Sequence, residues 1–323
     1  MSVENLFEAW NEFLVGKRKK PDVQEFKEHL VENIRTLHED LVAYRYQHGP
    51  YYHFTITDPK PRDIHKASVR DRLLHHAIHR KLYPLFDRIF VSDSFSCRQA
   101  KGTHRAMDRF RHFTRSVSRN DTQACWVLKL DIRKFFASID HNVLLSILYR
   151  RIPDLSIMNV FERIISSFTG IAPGKGLPLG NLTSQLFTNV YLNELDQFLK
   201  YHLHVKHYIR YADDFVLLSQ DRSWLVDQLP KIEKFLWERL QLQIHPKKIE
   251  LRTIVSGVDF LGWIHCPSHR VLRTVTKHRM FRRITEKPTE QVVSSYAGLL
   301  HHGDAEGITH ELKNRYWMFS EKE

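Results

Sequence analysis

The chain has 323 residues, 42% hydrophobic and 12% aromatic, enough to bury a large core in two or three domains or subdomains, which excludes disorder as its default. Forty-nine Lys and Arg against 37 Asp and Glu leave a formal charge of +12, which points to a polyanion bound through its phosphates. No apolar run approaches the roughly 18 residues of a membrane span, and the opening Met-Ser-Val-Glu-Asn is no signal peptide, so nucleic acid is a better partner than a membrane and a cytoplasmic location is expected.

Residues 1–50 read as a helical N-terminal extension. Val23, Phe26, Leu30, Ile34, Leu37 and Leu41 recur at three- and four-residue spacing, which predicts one amphipathic helix opened by Pro21-Asp22. Lys17-Arg18-Lys19-Lys20 ahead of it is either an RNA contact or a solvated loop. A loop with Gly49, Pro50, Pro59 and Pro61 follows. From Arg98 to Arg119 seven Lys and Arg accompany one acid, Asp108, with Phe110 and Phe113 interleaved. That stretch fits a surface tracking a nucleic-acid backbone, or else a solvated helix face. The cysteines, Cys97, Cys125 and Cys266, are scattered without a CxxC spacing, which suggests reduced thiols with neither disulfide nor zinc site. Histidines such as His75-His76, His202, His204, His207 and His301-His302 lack ligand companions in a metal pattern and read as exposed or phosphate-facing.

Trp126 to Ile132 predicts a strand. By the two-residue period Trp126, Leu128, Leu130 and Ile132 share one face, and Val127, Lys129 and Asp131 the other. A helical excursion is expected near 142–170. After Gly180 comes a long amphipathic helix with Leu186, Phe187, Val190, Tyr191, Leu195, Phe198 and Leu199 on one side. Residues 208–218 predict two strands joined by an acidic turn, Asp213-Asp214. Adjacent acids repel unless a cation neutralises them, and carboxylate oxygens suit Mg²⁺. Asp131 and Asp213 on neighbouring strands would gather three carboxylates around one or two ions. Two Mg²⁺ ions about 4 Å apart clamp an in-line attack on phosphorus. A helix at 223–240 should break or kink at Pro230. Val258–His265 and Arg270–Thr274 read as a hairpin around Cys266 to His269. The last fifty residues are helical, one stretch carrying Lys277, Arg279, Arg282, Arg283 and Lys287.

Tyr211-Ala212-Asp213-Asp214, with Asp131-Ile132-Arg133-Lys134-Phe135-Phe136, resembles the metal-binding signature of the reverse transcriptases. Further blocks follow that family's order: Pro59-Lys60-Pro61-Arg62-Asp63-Ile64, Phe95 to Ala106, Gly176 to Gln185, Pro246-Lys247-Lys248 and Phe260-Leu261-Gly262-Trp263. The resemblance implies an α+β right-hand polymerase: fingers at 51–125, a palm with an antiparallel sheet at 126–265, and a small helical thumb at 266–323. It implies two Mg²⁺ ions, replaceable by Mn²⁺, on Asp131, Asp213 and Asp214. Lys60, Arg62, Phe136, Leu179, Gly180 and Lys247 would meet the nucleotide, Phe136 against the sugar 2′ position. Lys247 or Lys248 would protonate the leaving pyrophosphate. Arg98, Lys101, Arg105, Ser184, Gln185, Phe260, Leu261, Gly262 and Trp263 would contact template or primer. Template RNA, cDNA and deoxynucleotides are the expected partners, and no RNase H, endonuclease or integrase domain is expected beyond the thumb.

Most reverse transcriptases carry Pro-Gln-Gly and then Ser-Pro where this chain has Pro178-Leu179-Gly180 and then Ser184-Gln185. That form is similar to the enzymes of diversity-generating retroelements, which copy RNA with frequent errors opposite adenine. The similarity leaves room for a small, basic, helical accessory protein. Losing the glutamine amide removes a contact worth about 1 kcal/mol, unless Leu179 is a packing variant. An antiphage reverse transcriptase acting on its own structured RNA, a group II intron enzyme and an inactive RNA-binding scaffold are the competing readings. Retention of all three acids argues against the scaffold.

Overall fold

The computed structural model describes residues 1–57 and 60–320, so Pro59 of the first fingers block lies outside the described residues. Three N-terminal helices, α1 (Val3–Phe13), α2 (Pro21–Glu28) and α3 (Leu30–Val42), come first. Ser2 caps α1 by accepting from the Asn5 amide at 3.3 Å, and Pro21 opens α2 as its spacing suggested. The single helix expected across 21–41 is instead two, parted at His29 (φ −115°, ψ 33°), because α2 packs on α4 (Val69–Asp87) while α3 packs on α1.

The proline-rich loop before α4 carries an exposed antiparallel hairpin, β1 (Tyr52–Ile56) with β2 (Arg62–Lys66), that the sequence did not suggest. Its residues reach no core, so no burial period marks them. Helix α5 (Thr103–Val117) follows, and its apolar residues turn inward. Phe110 and Phe113 are buried with Ala106 and Val117, so they offer no stacking surface between the exposed cations.

The centre of the molecule is a four-stranded antiparallel sheet in the order β4-β5-β3-β6, made of β3 (Trp126–Asp131), β4 (His207–Tyr211), β5 (Asp214–Ser219) and β6 (Glu250–Thr253). One sheet face, with Leu128, Leu130, Phe215 and Leu217, joins a core that runs from Leu6 and Phe13 to Leu236. The other, with Val127, Ile209, Val216 and Leu218, packs on α5. The alternation read in β3 thus separates two cores, and Asp131 and Lys129 stand on the α5 side.

Between β3 and β4 lie the short α6 (Phe135–Ser138), then α7 (His141–Tyr149) and α8 (Leu155–Ser166), capped by Asp140 and Asp154, and finally α9 (Leu182–Gln197). The amphipathic helix expected after Gly180 is buried on nearly all sides, Thr183, Ser184, Asn189, Asn193 and Asp196 included. Such a helix sits at the centre of a fold. Helix α10 (Arg222–Leu240) runs through Pro230 without the expected break. Pro230 and Val226, whose carbonyl loses its helical donor, both lie on the exposed side, where water can serve that oxygen.

The C-terminal hairpin is a three-stranded meander, β7 (Val258–Phe260), β8 (Trp263–His265) and β9 (Arg270–Leu272). Its extra reversal falls at Leu261-Gly262, both at positive φ (53° and 89°), the two-residue turn that suits the strand twist. Helices α11 (Thr274–Glu286), α12 (Glu290–Leu300) and α13 (Glu306–Ser320) close around Met280, Phe281, Ile284 and Leu312, with Trp263 and Met107 in the same cluster. Among the described residues no helix is long and apolar enough to cross a membrane.

Candidate active site

The pairing of β3 with β5 puts Asp131 directly opposite Asp214, and that of β4 with β5 puts Tyr211 opposite Asp214. The turn is therefore Ala212-Asp213, one residue earlier than expected, and Asp214 already belongs to the strand. Ala212 adopts φ 55°, and the Asp213 carbonyl accepts from the Ile132 amide at 3.2 Å. Three carboxylates from two strands and one turn thus meet where the α5-side core ends.

The surroundings of Asp213 and Asp214 disfavour their charged forms. Burial, then Asp131, raise the Asp213 pKa against the pull of Lys248 and Arg62. Burial raises Asp214 to about 7; Lys129 opposes the rise, and Asp131 and Asp213 add to it. Asp214 Oδ1 is buried with no hydrogen-bond partner among the described residues. Crowded hard oxygens, one of them unserved, are a donor set that fits a divalent cation. Among the described residues no three His, Cys, Asp or Glu are arranged so that together they could hold a metal ion. Mg²⁺ needs only one or two carboxylates when substrate phosphates and water complete its shell.

Two lysines stand guard. Lys248 Nζ donates to both oxygens of Asp131 at 2.8 Å, whereas its neighbour Lys247 points into solvent from the one-turn helix Pro246–Lys248. Of the two candidates, the geometry brings Lys248 to the acids. Lys129 Nζ lies 3.9 Å from Asp214 Oδ2 and donates to the Asp259 carbonyl at 2.7 Å. The two-residue period places Lys129 on the same strand face as Asp131, and that shared face is the signal in the sequence for its part in the site.

A cavity of about 820 Å³ opens beside Asp213, lined by Arg62, His65, Phe136, Phe168 and Leu179 among others. Phe135 is buried in the core and Phe136 is half-buried, and both touch the cavity wall. The segment around Leu179 is stitched to β2: the Leu179 carbonyl accepts from the His65 amide at 3.0 Å, and Asn181 Nδ2 donates to the His65 carbonyl at 2.8 Å. Gly180 sits at φ +107°, and a Cβ there would stand 2.8 Å from Ile64 Cγ2, so close approach and positive φ both require glycine. Lys60 is exposed outside the cavity lining.

The template and primer candidates divide. Arg105 is exposed on α5, Gln185 is half-buried and Ser184 is buried in the first turn of α9. Arg98 is turned inward, its Nε on Asp87 Oδ1 at 2.7 Å and Nη1 on the carbonyls of Val91 and Ser94. That guanidinium braces the loop before α5 and presents little surface to a phosphate. Lys101 donates to the Ser92 carbonyl at 2.7 Å. Phe260 and Trp263 are core side chains, which leaves the half-buried Leu261-Gly262 turn as the accessible part of that block.

The model of the family described as reverse transcriptase (RNA-dependent DNA polymerase) matches residues 57–265. Among curated proteins, protein YkfC of Escherichia coli (strain K12) is 24% identical over 309 residues, 84% of this chain and 79% of YkfC. The group II intron-encoded protein LtrA of Lactococcus lactis subsp. cremoris is 22% identical over 274 residues, 63% of this chain but only 44% of LtrA. Among solved structures, apo telomerase from Candida tropicalis, truncated from its C-terminal domain, superposes with a TM-score of 0.52 at 12% identity, covering 76% of this chain and 60% of that one. Telomerase from Candida albicans, in complex with a TWJ fragment of telomeric RNA, gives 0.52 at 13% identity, covering 87% and 58%. At such identities the likeness is one of fold, and with the antiparallel sheet and its flanking helices it makes this a right-hand polymerase fold. The family match runs from the loop before β2 to the end of β8 and takes in all three acids, and the chain belongs to the reverse transcriptase family, the RNA-dependent DNA polymerases.

Proposed function

We propose that the chain copies an RNA template into cDNA at Asp131, Asp213 and Asp214. The observation that carries this is the register of β3 on β5, which sets Asp131 opposite Asp214 beside the turn bearing Asp213, at the edge of the Phe136 cavity. Divalent cations held there, two Mg²⁺ or Mn²⁺ in their place, would supply charge neutralisation and a lowered pKa at the primer 3′-hydroxyl. Arg62 faces the triphosphate, Phe136 closes the space beside the sugar, and Lys248 is the closer proton donor for pyrophosphate. The exposed cations of α5 carry the template backbone.

Within that reaction we read the enzyme as error-prone at template adenines, in the manner of a diversity-generating retroelement. Leu179 supports this: it lines the same cavity as Phe136 and Asp213, and it offers no amide to the nucleotide. A second reading, cDNA synthesis for a group II intron, is favoured by the similarity to LtrA. Primer extension on one adenine-containing RNA, with sequencing of the product, tests both. Asp213→Asn should lose at least about 100-fold in extension with RNA binding kept. Wild-type errors should cluster opposite adenine, and Leu179→Gln should reduce them. Rare errors spread evenly over the four bases would leave the intron reading standing instead.

A further inference from the structure

Asp213 projects from a turn that an L residue resists, since Ala212 sits at φ 55°. Two residues earlier on β4, Arg210 is completely buried, at 0% exposure. Its guanidinium has five N–H donors, and each has an acceptor. Nη1 donates to the Ala212 carbonyl oxygen at 3.2 Å and to Asn189 Oδ1 at 3.2 Å. Nε and Nη2 donate to the two oxygens of Asp196 at 2.7 and 2.6 Å, and Nη2 also reaches Ser94 Oγ at 3.0 Å. Asp196 accepts a further bond from the Tyr208 hydroxyl at 2.6 Å. The main chain of Arg210 is fixed as well, its amide donating to the Asp93 carbonyl at 2.9 Å and its carbonyl accepting from the Phe95 amide at 3.0 Å.

A buried ion pair that only filled the core would need no donor on the turn. Here a planar fork is anchored on α9, Nε and Nη2 on Asp196 and Nη1 on Asn189, and that same Nη1 reaches the carbonyl immediately before Asp213. We propose that Arg210 is a positioning residue, holding the left-handed Ala212 peptide and thereby the backbone from which Asp213 presents its carboxylate. The inference rests on the reading of Asp213 as an essential acid. A lysine cannot replace the fork, because its three donors radiate from one point.

The test is a double-mutant cycle between Arg210→Lys and Ala212→Gly, read as kcat for primer extension alongside RNA–primer affinity and the urea midpoint. Arg210→Lys keeps a cation on Asp196 and should lower kcat about 100-fold, the cost of displacing a reacting group by about 1 Å, with affinity unchanged. Ala212→Gly removes the resistance to positive φ. In the Arg210→Lys background it should recover about tenfold, the size of the left-handed penalty of an L residue, without restoring the urea midpoint. If Arg210→Lys does not fold, Arg210→Met with Asp196→Leu replaces the pair by apolar side chains, an exchange buried ion pairs often tolerate, and should show the same loss of kcat. A folded variant of either kind with wild-type kcat overturns the proposal, as does a cycle in which the two effects multiply independently. An inactive Asp213→Asn beside a fully active Arg210→Lys rejects this inference alone. An active Asp213→Asn rejects the reading beneath it.

Discussion

Asp214→Asn should stabilise the metal-free protein at alkaline pH. The folded carboxyl titrates near 7, against an ordinary 3.8, chiefly through burial. A raised acid pKa means that between these values the folded chain keeps a proton that the unfolded chain has released. Stability contributed by that proton is complete below 3.8 and is lost as pH rises through 7. The displacement from 3.8 to about 7 corresponds to about 4 kcal/mol above pH 8. That figure is an upper bound, because the side chain keeps 25% of its surface although its Oδ1 is sealed. Asparagine mimics the protonated acid and cannot ionise, so its advantage over wild type should grow by about 2 kcal/mol between pH 5.5 and pH 8. Urea unfolding followed by tryptophan fluorescence in chelator measures it. Adding Mg²⁺ at pH 8 should stabilise wild type more than Asp214→Asn, since the cation removes the same penalty. Parallel stability–pH curves for the two proteins, or a mutant less stable at pH 8, would refute the electrostatic account.

Phe136→Val should raise ribonucleotide use relative to deoxynucleotides by opening the cavity wall beside Asp213. An unchanged ratio in single-nucleotide incorporation would move the sugar gate elsewhere. Gly303→Ala should cost about 1–3 kcal/mol, because its Cβ would collide with the buried Trp263 ring. Gly298→Ala, in open space within α12, should instead gain about 0.5–1 kcal/mol in thermal unfolding.

The acids were legible because charge at a strand end breaks an otherwise apolar period, and β3 kept that period on both faces. Lys248 was not separable from Lys247, since adjacent lysines look alike until the short turn capped by His245 aims one of them at Asp131. Arg98 misled by its charge: a cation in a basic stretch reads as surface, and only the fold supplies Asp87 and three carbonyls to bury it. The same holds for α9, whose Asn189 and Asp196 look like a solvent face until Arg210 arrives from β4. Phe110 and Phe113 were a different failure. Their spacing with Ala106 and Val117 marks an inward stripe, which the arginines between them obscure in the sequence.

The placement of β3 between two cores has a consequence for how this enzyme can change. Residues along it can be exchanged for others of like polarity, but their number cannot vary. One residue inserted or deleted just after Trp126 would send Lys129 and Asp131 toward the side now held by Leu128 and Leu130. It would also carry leucines to the side that now bears the acids. Length variation in this lineage should therefore collect in the loops around residues 120 and 172, and a chain with an altered β3 length should retain neither its fold nor its chemistry.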